Sequence, residues 1–320
     1  MRRVLITGIS GFAGSHLVEF LLSKKKYNIS GTYLIPDNVK KNLGKVKSDI
    51  RLIQVDLTNS KKVDDLLNLI KPDFVFHLAA LPYTAASFKA PFLTMKNNIA
   101  SQMNVLSAIK DNNLFDTKVL VVSSGEIYGL VEKEDLPIDE ETKLMPTSPY
   151  AVSKIAQDFL GLQYFLSYKL KIIRVRPFNH IGPRQSPSFV VASIARKIAE
   201  IEKGKREGVI SVGNLVPKRD FTDVRDMVAA YVLAIEKGKV GDVYNIGTEK
   251  SYKISEVLDN LLKLSKVKIK VSIDKNLLRP VDIPELLCDA TKFRKLTNWR
   301  PKIPITTTLK DTLDYWRSIV

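Results

Sequence analysis

A glycine-rich turn near the start of the chain constrains the fold more than any other feature. Residues 2–7 read as a short buried strand, the run T-G-I-S-G-F-A-G fills 7–14, and apolar residues then recur at helical spacing through residue 21. Strand, glycine turn and helix form the context of a dinucleotide-binding loop, because glycines admit a pyrophosphate and the helix N-terminus offers unpaired N–H groups. The predicted cofactor contacts in this turn are Gly8, Ser10, Gly11, Phe12, Ala13 and Gly14.

Strands and helices alternate through the first half of the chain. The further predicted strands cover 29–34, 51–55, 73–78, 118–123 and 171–176, and predicted helices cover 61–70, 97–110 and 150–168. This alternation predicts an α/β protein with a Rossmann-type doubly wound parallel sheet, whose ligands bind beyond the carboxyl ends of the strands. The predicted cofactor contacts at these strand ends are Asp56, Leu57, Leu78, Ala79 and Ala80. His77 is expected to be a core histidine, and no metal site is predicted.

The second strand ends without the acid that usually binds the ribose 2′-hydroxyl of NAD. Residues 31–34 read G-T-Y-L, and the first acid after them is Asp37. The cations that follow are Lys40, Lys41, Lys45 and Lys47. A missing acid and nearby cations favour a 2′-phosphate, so NADP is the predicted cofactor and NAD is the alternative.

A tyrosine and a lysine stand four residues apart at the start of the predicted helix 150–168. Ser148 can cap this helix, and Pro149 suits its first turn, where an N–H would have no partner. Positions i and i+4 share a helix face, so the phenol of Tyr150 and the ammonium of Lys154 are expected to lie side by side. A neighbouring cation favours the phenolate, so Lys154 is expected to lower the pKa of Tyr150 from about 10.

Hydroxyl groups and a carboxylate follow the predicted strand 118–123. Residues 123–129 read S-S-G-E-I-Y-G, which places Ser124 and Glu126 on the ligand side of the sheet. The Y-x-x-x-K spacing alone is common on helix surfaces, but the preceding glycine turn and strand end favour an active site. The residues predicted to line this site are Ser124, Glu126, Tyr150 and Lys154.

Four motifs, in order along the whole chain, resemble those of the extended short-chain dehydrogenases. They are T-G-x-x-G-F-x-G at 7–14, V-S-S-x-x-x-Y-G at 122–129, Y-x-x-x-K at 150–154 and R-x-x-N-x-x-G-P at 176–183. The resemblance implies NAD(P) as cofactor and a nucleoside-diphosphate sugar as substrate. It also implies that the substrate lobe is built from C-terminal segments.

The resemblance further implies that Ser124, Tyr150 and Lys154 form the catalytic set, and it places Glu126 where the family's dehydratases carry a catalytic glutamate. Lys154 is expected to hydrogen-bond the cofactor ribose, Ser124 to hold the reacting sugar oxygen, and Tyr150 to pass the proton. Arginine suits bidentate recognition of a diphosphate, which makes Arg219 and Arg279 the expected ligands of that group. The other expected substrate contacts are Glu126, Asn179, Val190, Arg196 and Asn214.

Two domains are expected. Residues 1–176 form the NAD(P)-binding domain, to which 218–246 return, and residues 177–320 form a smaller α/β nucleotide-sugar lobe. The helix 150–168 is apolar on several sides, which indicates burial on several sides. Together with the resemblance, this predicts a homodimer formed through the helices near 97–110 and 150–168.

Within the family, the segments F-N-H-x-G-P-x-Q-S, V-G-N-L, R-D-F-T-D-V-R-D and L-R-P-x-x-I-P most resemble the GDP-6-deoxy-4-keto-mannose reductases, which make GDP-rhamnose. The GDP-mannose 4,6-dehydratases are the first alternative, and Glu126 fits either class. A UDP-sugar 4-epimerase is a further alternative. Arg184 departs from the expected pattern, which has glycine at this position.

The chain of 320 residues carries a formal net charge of +16 and one cysteine, Cys288. The cysteine count excludes disulfide scaffolds, and no stretch reads as a signal peptide or membrane span, so a cytoplasmic protein is expected. The charge raises an alternative of another class, a non-catalytic NADP- or RNA-binding protein. The lysines of the chain are scattered rather than aligned in a stripe, which indicates an ordinary solvated surface. Neither nucleic acid nor membrane is therefore expected as a partner.

Overall fold

The computed structural model describes residues 1–44, 46–278 and 281–320 of the chain. The strands are β1 (Arg2–Thr7), β2 (Tyr27–Tyr33), β3 (Arg51–Gln54), β4 (Phe74–His77), β5 (Lys118–Val122), β6 (Lys171–Pro177), β7 (Asn179–Ile181), β8 (Val209–Val212), β9 (Lys218–Asp223), β10 (Val243–Ile246), β11 (Ser251–Lys253), β12 (Lys270–Ile273) and β13 (Glu285–Leu286). The helices are α1 (Phe12–Ser23), α2 (Pro36–Leu43), α3 (Ser60–Ile70), α4 (Thr84–Lys89), α5 (Pro91–Asp111), α6 (Pro149–Tyr168), α7 (Val190–Glu202), α8 (Val224–Lys237), α9 (Ile254–Lys263), α10 (Thr291–Thr297) and α11 (Ile305–Ile319).

A seven-stranded parallel sheet forms the larger part of the fold. Its strand order is β3-β2-β1-β4-β5-β6-β10. The order reverses between β1 and β4, and in doubly wound sheets the ligand crevice lies at such a reversal. The structure thus confirms the predicted Rossmann-type α/β fold.

The central strands are buried on both faces because successive side chains point to opposite sides of the sheet. Val4 and Ile6 of β1 pack with residues of α1 and α8 on one face. Leu5 packs on the other face with residues of α3, α5 and α6. The near-continuous apolar run of β1 therefore follows from its two covered faces.

The C-terminal segments build a second layer over the strand ends. Strands β7, β9, β11 and β13 form a small mixed sheet, and β8 pairs with β12. Helices α7, α9 and α11 share an apolar cluster that includes Val191, Ile198, Leu261, Leu313 and Trp316. This cluster is separate from the two cores of the large sheet, as expected for an appended lobe.

Strand pairing and packing depart from the predicted domain limits at two places. Strand β9 pairs within the small sheet, so the return to the large sheet begins with α8 at Val224 rather than at residue 218. Phe293 of α10 and Trp299 pack into the core beside α1 and α8, so they also depart from the predicted 177–320 lobe. Short amphipathic elements do not indicate in sequence which of two apolar surfaces they will cover.

Element bounds differ from prediction mainly where a cap decides them. Helix α5 begins at Pro91 rather than near residue 97, because proline is well suited to the first helical turn. Asn59 caps α3 by accepting a hydrogen bond from the Lys62 amide. Across the described ranges, the helices are each too short or too polar to cross a bilayer.

A buried ion cluster fixes α6 against the sheet. Asp158 has no exposed side-chain surface, and its carboxylate accepts from Arg174 at 2.7 Å and from Arg176 at 2.9 Å. Arg176 also donates to the hydroxyl of Tyr128 at 2.9 Å. Because α6 carries Tyr150 at its start, this cluster anchors the helix on which the candidate site depends.

The cluster predicts a large stability effect for Asp158→Asn. Removing the carboxylate charge leaves two buried guanidinium groups poorly compensated, so the free energy of unfolding should fall by about 3–5 kcal/mol. Urea denaturation followed by circular dichroism measures the change. Asp111→Asn, in an exposed pair with Lys110, is the control and should change it by less than about 1 kcal/mol. Equal effects of the two substitutions would contradict this account.

Candidate active site

The glycine turn packs too tightly for side chains. Gly8 has a φ of +68°, and a Cβ there would lie 3.0 Å from the Ala79 Cα at the end of β4. A Cβ on Gly14 would lie 2.5 Å from the Gly8 carbonyl oxygen. Gly11 is the N-cap of α1 and brings no capping side chain, so the first amides of this helix face the turn. The turn therefore fits a pyrophosphate, which needs close backbone approach and free N–H donors.

The other predicted cofactor residues surround this turn at the strand ends. The amides of Leu78 and Ala79 donate to the hydroxyl of Thr7 at 3.1 and 3.2 Å, which joins the ends of β1 and β4. Asp56 and Leu57 follow β3, and the Asp56 carboxylate accepts from the Thr58 amide at 2.9 Å. Ser10, Phe12 and Ala13 follow β1 and Ala80 follows β4, the two strands between which the order reverses, whereas Asp56 and Leu57 follow the outer strand β3.

Tyr150 lies in the first turn of α6. Ser148 caps the helix by accepting from the Ala151 amide at 3.1 Å, as predicted. The Tyr150 amide donates to the Ser87 hydroxyl at 3.1 Å, so α4 also fixes the helix start. The phenol is buried, and the Ser124 side chain lies close enough to lower its pKa. Two of the predicted catalytic residues thus lie near each other.

The electrostatics of Tyr150 differ from the sequence-based expectation. Burial raises the pKa of Tyr150 above its ordinary value; the nearby Ser124 side chain opposes this effect, and the Glu126 carboxylate adds to it. Within the described part of the chain, Lys154 is not among the groups that shift this pKa. The expectation that Lys154 lowers the pKa of Tyr150 is therefore wrong for this state of the protein.

The orientation of Lys154 explains the difference. Its Nζ donates to the Val122 carbonyl at 2.6 Å and to the Gln157 amide oxygen at 2.7 Å. Burial lowers the pKa of Lys154 to about 7, and Asp158 opposes that shift. The shared helix face brings Lys154 to the correct side of the sheet, but the contacts with β5 and Gln157 set the direction of its amine.

His77 is a core histidine, as predicted. Its Nδ1 lies 3.0 Å from the Thr7 hydroxyl, and burial lowers its pKa to about 3. The ring is therefore neutral at physiological pH. Within the described ranges, the His, Cys, Asp and Glu side chains form no group of three or more that could hold a metal ion.

Glu126 and Arg219 line one small pocket next to the start of α6. The guanidinium of Arg219 donates to the backbone carbonyls of Lys218 and Ile283, each at 2.8 Å. The residues that line the pocket with them are Thr84, Phe88, Thr147, Ser148, Val281 and Ile283. The structure thus brings a carboxylate, an arginine and the helix carrying Tyr150 together, although they are far apart in sequence.

Among the remaining predicted substrate residues, Asn214 lies beside the Arg219 pocket, and Asn179 and Val190 are the first residues of β7 and α7. Asn214 donates to the Asp282 carboxylate at 2.7 Å, next to the Ile283 carbonyl that holds Arg219. Asn179 lies in β7 beside β9, and Val190 begins α7 with a partly exposed side chain.

Arg196 is engaged away from this pocket. Its guanidinium pairs with Glu200 at 2.7 Å and stacks over Trp316. Arg279, the other expected diphosphate ligand, lies outside the described residues. Of the two arginines chosen from the sequence, the structure therefore describes only Arg219 at the pocket.

Sequence reasoning missed the residues that hold the catalytic side chains in place. Ser87 and Gln157 fix Tyr150 and Lys154, yet neither belongs to a motif or stands out in composition. Arg184, which departs from the glycine pattern, has a φ of +72°. The expected glycine thus corresponds to a left-handed backbone position, where glycine is the residue of lowest strain.

Comparisons with known proteins find similar sequences along nearly the whole chain. The family model described as GDP-mannose 4,6 dehydratase matches residues 5–312. GDP-6-deoxy-D-mannose reductase of Pseudomonas aeruginosa is 33% identical over 319 residues, covering 100% of this chain and 98% of the relative. GDP-mannose 4,6 dehydratase 1 of Arabidopsis thaliana is 31% identical over 330 residues, covering 97% and 88%.

Solved structures show the same fold along the whole chain. RMD from Pseudomonas aeruginosa complexed with NADPH superposes with a TM-score of 0.85 at 32% identity, covering 100% of both chains. The UDP-glucose 4-epimerase of Thermus thermophilus in complex with NAD gives 0.88 at 28% identity, covering 99% and 100%. The resemblance drawn from the four motifs is confirmed.

The buried Lys154 amine predicts a specific pH dependence of stability. The ordinary lysine pKa is about 10.4, so an unfolded chain keeps the proton that the folded chain releases above its pKa of about 7. Stability therefore falls as the pH drops from about 10 to 7. Below about pH 7 Lys154 is protonated in both the folded and the unfolded protein, so its effect on stability no longer changes with pH.

Lys154→Met removes this titration. The free energy of unfolding, measured in urea at several pH values between about 7 and 9.5, should rise with pH in the unchanged protein relative to the variant. Parallel pH profiles of the two proteins would show that Lys154 keeps an ordinary pKa when buried.

Proposed function

The chain belongs to the GDP-mannose 4,6-dehydratase family, and on that premise we propose that it is an NADPH-dependent reductase that converts GDP-6-deoxy-4-keto-D-mannose to GDP-D-rhamnose. The observation that carries the proposal is the full-length similarity to the Pseudomonas aeruginosa reductase, at 33% identity. The phenol of Tyr150 is protonated at neutral pH, so it can donate the proton that reduction of the ketone requires. A cytoplasmic location stays a prediction.

The proposed cofactor is NADPH, with NADH as the alternative. Gly8, Gly11 and Gly14 would admit its pyrophosphate, and the N-terminus of α1 would bind it. When bound, the cofactor supplies the hydride that reduces the C4 ketone. The end of β2 at Tyr33 carries no acid that would repel a 2′-phosphate, which supports NADPH over NADH.

Tyr150 would supply the proton of the reduction. Its pKa lies above the ordinary value, so the phenol is protonated at neutral pH and suits a proton donor. As C4 gains hydride, its oxygen would take the phenolic proton and become a hydroxyl, and solvent would return a proton to Tyr150. Ser124, whose side chain lies near the Tyr150 phenol, would hold the same oxygen.

Lys154 would support Tyr150 and bind the cofactor ribose. In the structure its amine braces α6 against β5 through the Val122 carbonyl. Burial holds its pKa at about 7, so its charge responds to any anion placed beside it. We propose that the role of Lys154 is to orient the cofactor and to hold Tyr150 at its place in the first turn of α6.

The GDP-sugar would bind across the pocket of Glu126 and Arg219. Two backbone carbonyls fix the Arg219 guanidinium at this pocket, and arginine is suited to binding a diphosphate. Asn214, Asn179 and Val190 are the other proposed contacts among the described residues. Arg196 is a weaker candidate because Glu200 and Trp316 engage its guanidinium. We propose a small-molecule substrate, with neither nucleic acid nor membrane as partner.

A GDP-mannose 4,6-dehydratase is the second candidate. Dehydration needs a base for the C5 proton, and Glu126 lines the pocket and is close enough to Tyr150 for its charge to raise the Tyr150 pKa. The similarity to Arabidopsis dehydratase 1 at 31% identity supports this alternative. A 4-epimerase is the third candidate, supported by the Thermus thermophilus structure at a TM-score of 0.88.

We further propose a homodimer formed through α5 and α6. The two helices pack against each other through buried polar contacts, such as Asn98 with Ser153 at 2.9 Å. Their outer faces nevertheless expose large apolar side chains, which a second copy would cover. These side chains are Phe92, Leu93, Met103, Val152, Phe159, Leu166 and Tyr168.

The reductase proposal predicts that the purified protein consumes NADPH when GDP-6-deoxy-4-keto-D-mannose is supplied. The absorbance of the reduced nicotinamide, at about 340 nm, follows the reaction. Tyr150→Phe should lower kcat by about 10²–10⁴-fold with little change in KM, because it removes the proton donor. Tyr252→Phe, on β11, is the matched control and should keep full activity.

Glu126→Gln separates the candidate reactions. Reduction should survive this change within about tenfold, because hydride transfer to C4 needs no base at C5. Formation of a keto sugar from GDP-mannose without net loss of NADPH, abolished by Glu126→Gln, would instead identify the dehydratase. Interconversion of a UDP-sugar with its C4 epimer would identify the epimerase.

The dimer proposal predicts a particle of twice the 36.0 kDa chain mass in light scattering after size-exclusion chromatography. Phe159→Glu places a charge on the shared apolar face and should give monomers, because an unpaired buried charge opposes association. Leu69→Glu changes another exposed apolar residue, on α3, and should leave the dimer intact. A monomeric unchanged protein would overturn the proposal.

A further inference from the structure

Arg184 occupies a backbone conformation that a side chain rarely adopts. Its φ is +72°, in the left-handed region where a residue with a Cβ is strained. It lies in the loop 182–189, between β7 and α7, which the structure places directly before the proposed substrate contact Val190. A compensating interaction is expected for a strained residue of this kind.

The side chain of Arg184 supplies that interaction by reaching across to α1. Its two terminal nitrogens donate to the two carboxylate oxygens of Glu19, at 2.6 and 2.7 Å. This is the bidentate pairing in which arginine binds carboxylates most strongly. The guanidinium is largely buried, with 13% of its side-chain surface exposed.

His16 makes a second link between the same two segments. Its Nε2 lies 2.9 Å from the Pro183 carbonyl, which can only accept, so Nε2 carries the proton. The unprotonated Nδ1 then accepts from Arg184 at 2.7 Å. Burial, and then the charge of Arg184, lower the pKa of His16 to about 4, which keeps this neutral form at physiological pH.

The network continues from Arg184 to the glycine turn. Arg184 donates to the Asn42 carbonyl at 3.3 Å, and the Asn42 side chain donates to the Ser10 carbonyl at 2.8 Å. Phe12 lies parallel to the ring of His180, with centroids 5.8 Å apart. Ser10 and Phe12 both belong to the proposed cofactor turn, so the loop and the turn share polar and aromatic contacts.

The loop 182–189 is also held by hydrogen bonds between its own residues and the end of β7. Gln185 donates from its side chain to the His180 carbonyl at 2.9 Å, and its amide donates to the Gly182 carbonyl at 3.3 Å. At the far end of the loop, the ring of Phe189 packs on Tyr83 with centroids 5.3 Å apart. A shift of Arg184 would therefore move the backbone that leads into α7.

We propose that Arg184 is a positioning residue that locks the loop 182–189 to the glycine turn and thereby couples ligand binding at these two places. The proposal rests on the proposed function for the identity of the two ligands, NADPH at the turn and the GDP-sugar at the loop. The pairing with Glu19 is the element that holds the loop in one position. Loss of the pairing frees the loop without removing any group that contacts the ligands.

Hydrogen exchange of the full-length protein without ligands tests the lock directly. Arg184→Gly removes the side chain at a position where glycine is unstrained, and Glu19→Gln breaks the ion pair without touching the loop. Both should speed exchange of the amides of 182–189 by about tenfold or more. Arg206→Gln, which breaks another arginine–glutamate pair, is the matched control and should leave these amides unchanged.

Ligand binding tests the coupling, with NADPH followed by fluorescence and GDP by calorimetry. The unchanged protein should bind GDP at least about fivefold more tightly when NADPH is present. In Arg184→Gly and Glu19→Gln the ratio of the GDP affinities with and without NADPH should approach one. Arg184→Lys keeps the charge but loses the bidentate geometry, so its GDP affinity gain with NADPH should lie between that of the unchanged protein and that of the two variants. The double variant should add little to either single change, because the two residues act as one unit.

The outcomes separate this inference from the proposed function. Unchanged exchange in both variants, or an unchanged coupling ratio, would overturn the role of Arg184. Faster loop exchange in both variants, together with failure of the unchanged protein to bind NADPH or GDP, would keep Arg184 as the lock of this loop and would instead reject the proposed ligands.

Discussion

Parallel pairing of β1, β4 and β5 is the constraint on which the candidate site depends. Parallel strands place their carboxyl ends at one edge, so the residues that follow each strand meet there whatever their distance in sequence. The glycine turn follows β1, Ala79 follows β4, and Ser124 follows β5. Helix α6 then delivers Tyr150 to the same edge, and the buried pairing of Asp158 with Arg174 and Arg176 fixes that helix on the sheet.

Burial at this edge sets the chemistry of the site more strongly than the spacing of its charges. Removal from water disfavours the charged form of every group, which raises the pKa of Tyr150 and lowers that of Lys154. A protonated phenol next to a serine hydroxyl suits donation of a proton to a reduced ketone. A phenol of ordinary pKa is protonated at neutral pH as well, so neither the protonation state of Tyr150 nor its spacing from Lys154 separates reduction from dehydration or epimerisation.

Much of this arrangement is predictable from the sequence, and the reasons differ between its parts. The sheet and the glycine turn follow from local patterns of apolar residues and glycine, which need no knowledge of distant contacts. The direction of the Lys154 amine depends on Val122 and Gln157, and the return of Phe293 and Trp299 to the first core depends on which surface is left uncovered. Such choices are made in three dimensions, so no spacing in the chain reveals them.

Arg184 illustrates how a departure from a pattern can be informative. In the sequence it stands out only because glycine is expected there, and the structure shows a left-handed backbone held by Glu19 and His16. The same contacts join the loop that leads into α7 to the turn proposed to bind the cofactor. The two halves of the proposed site are therefore connected through side chains that the motifs do not include.

Transfer of a deuterium label tests the central claim, reduction at C4 of the sugar, most directly. NADPH that carries deuterium at the reactive position is incubated with GDP-6-deoxy-4-keto-D-mannose, and the product is examined by NMR. The account predicts that the deuterium appears at C4 of the sugar, in an amount equal to the cofactor oxidised. Turnover of the nucleotide sugar without deuterium at C4 of the product would contradict it.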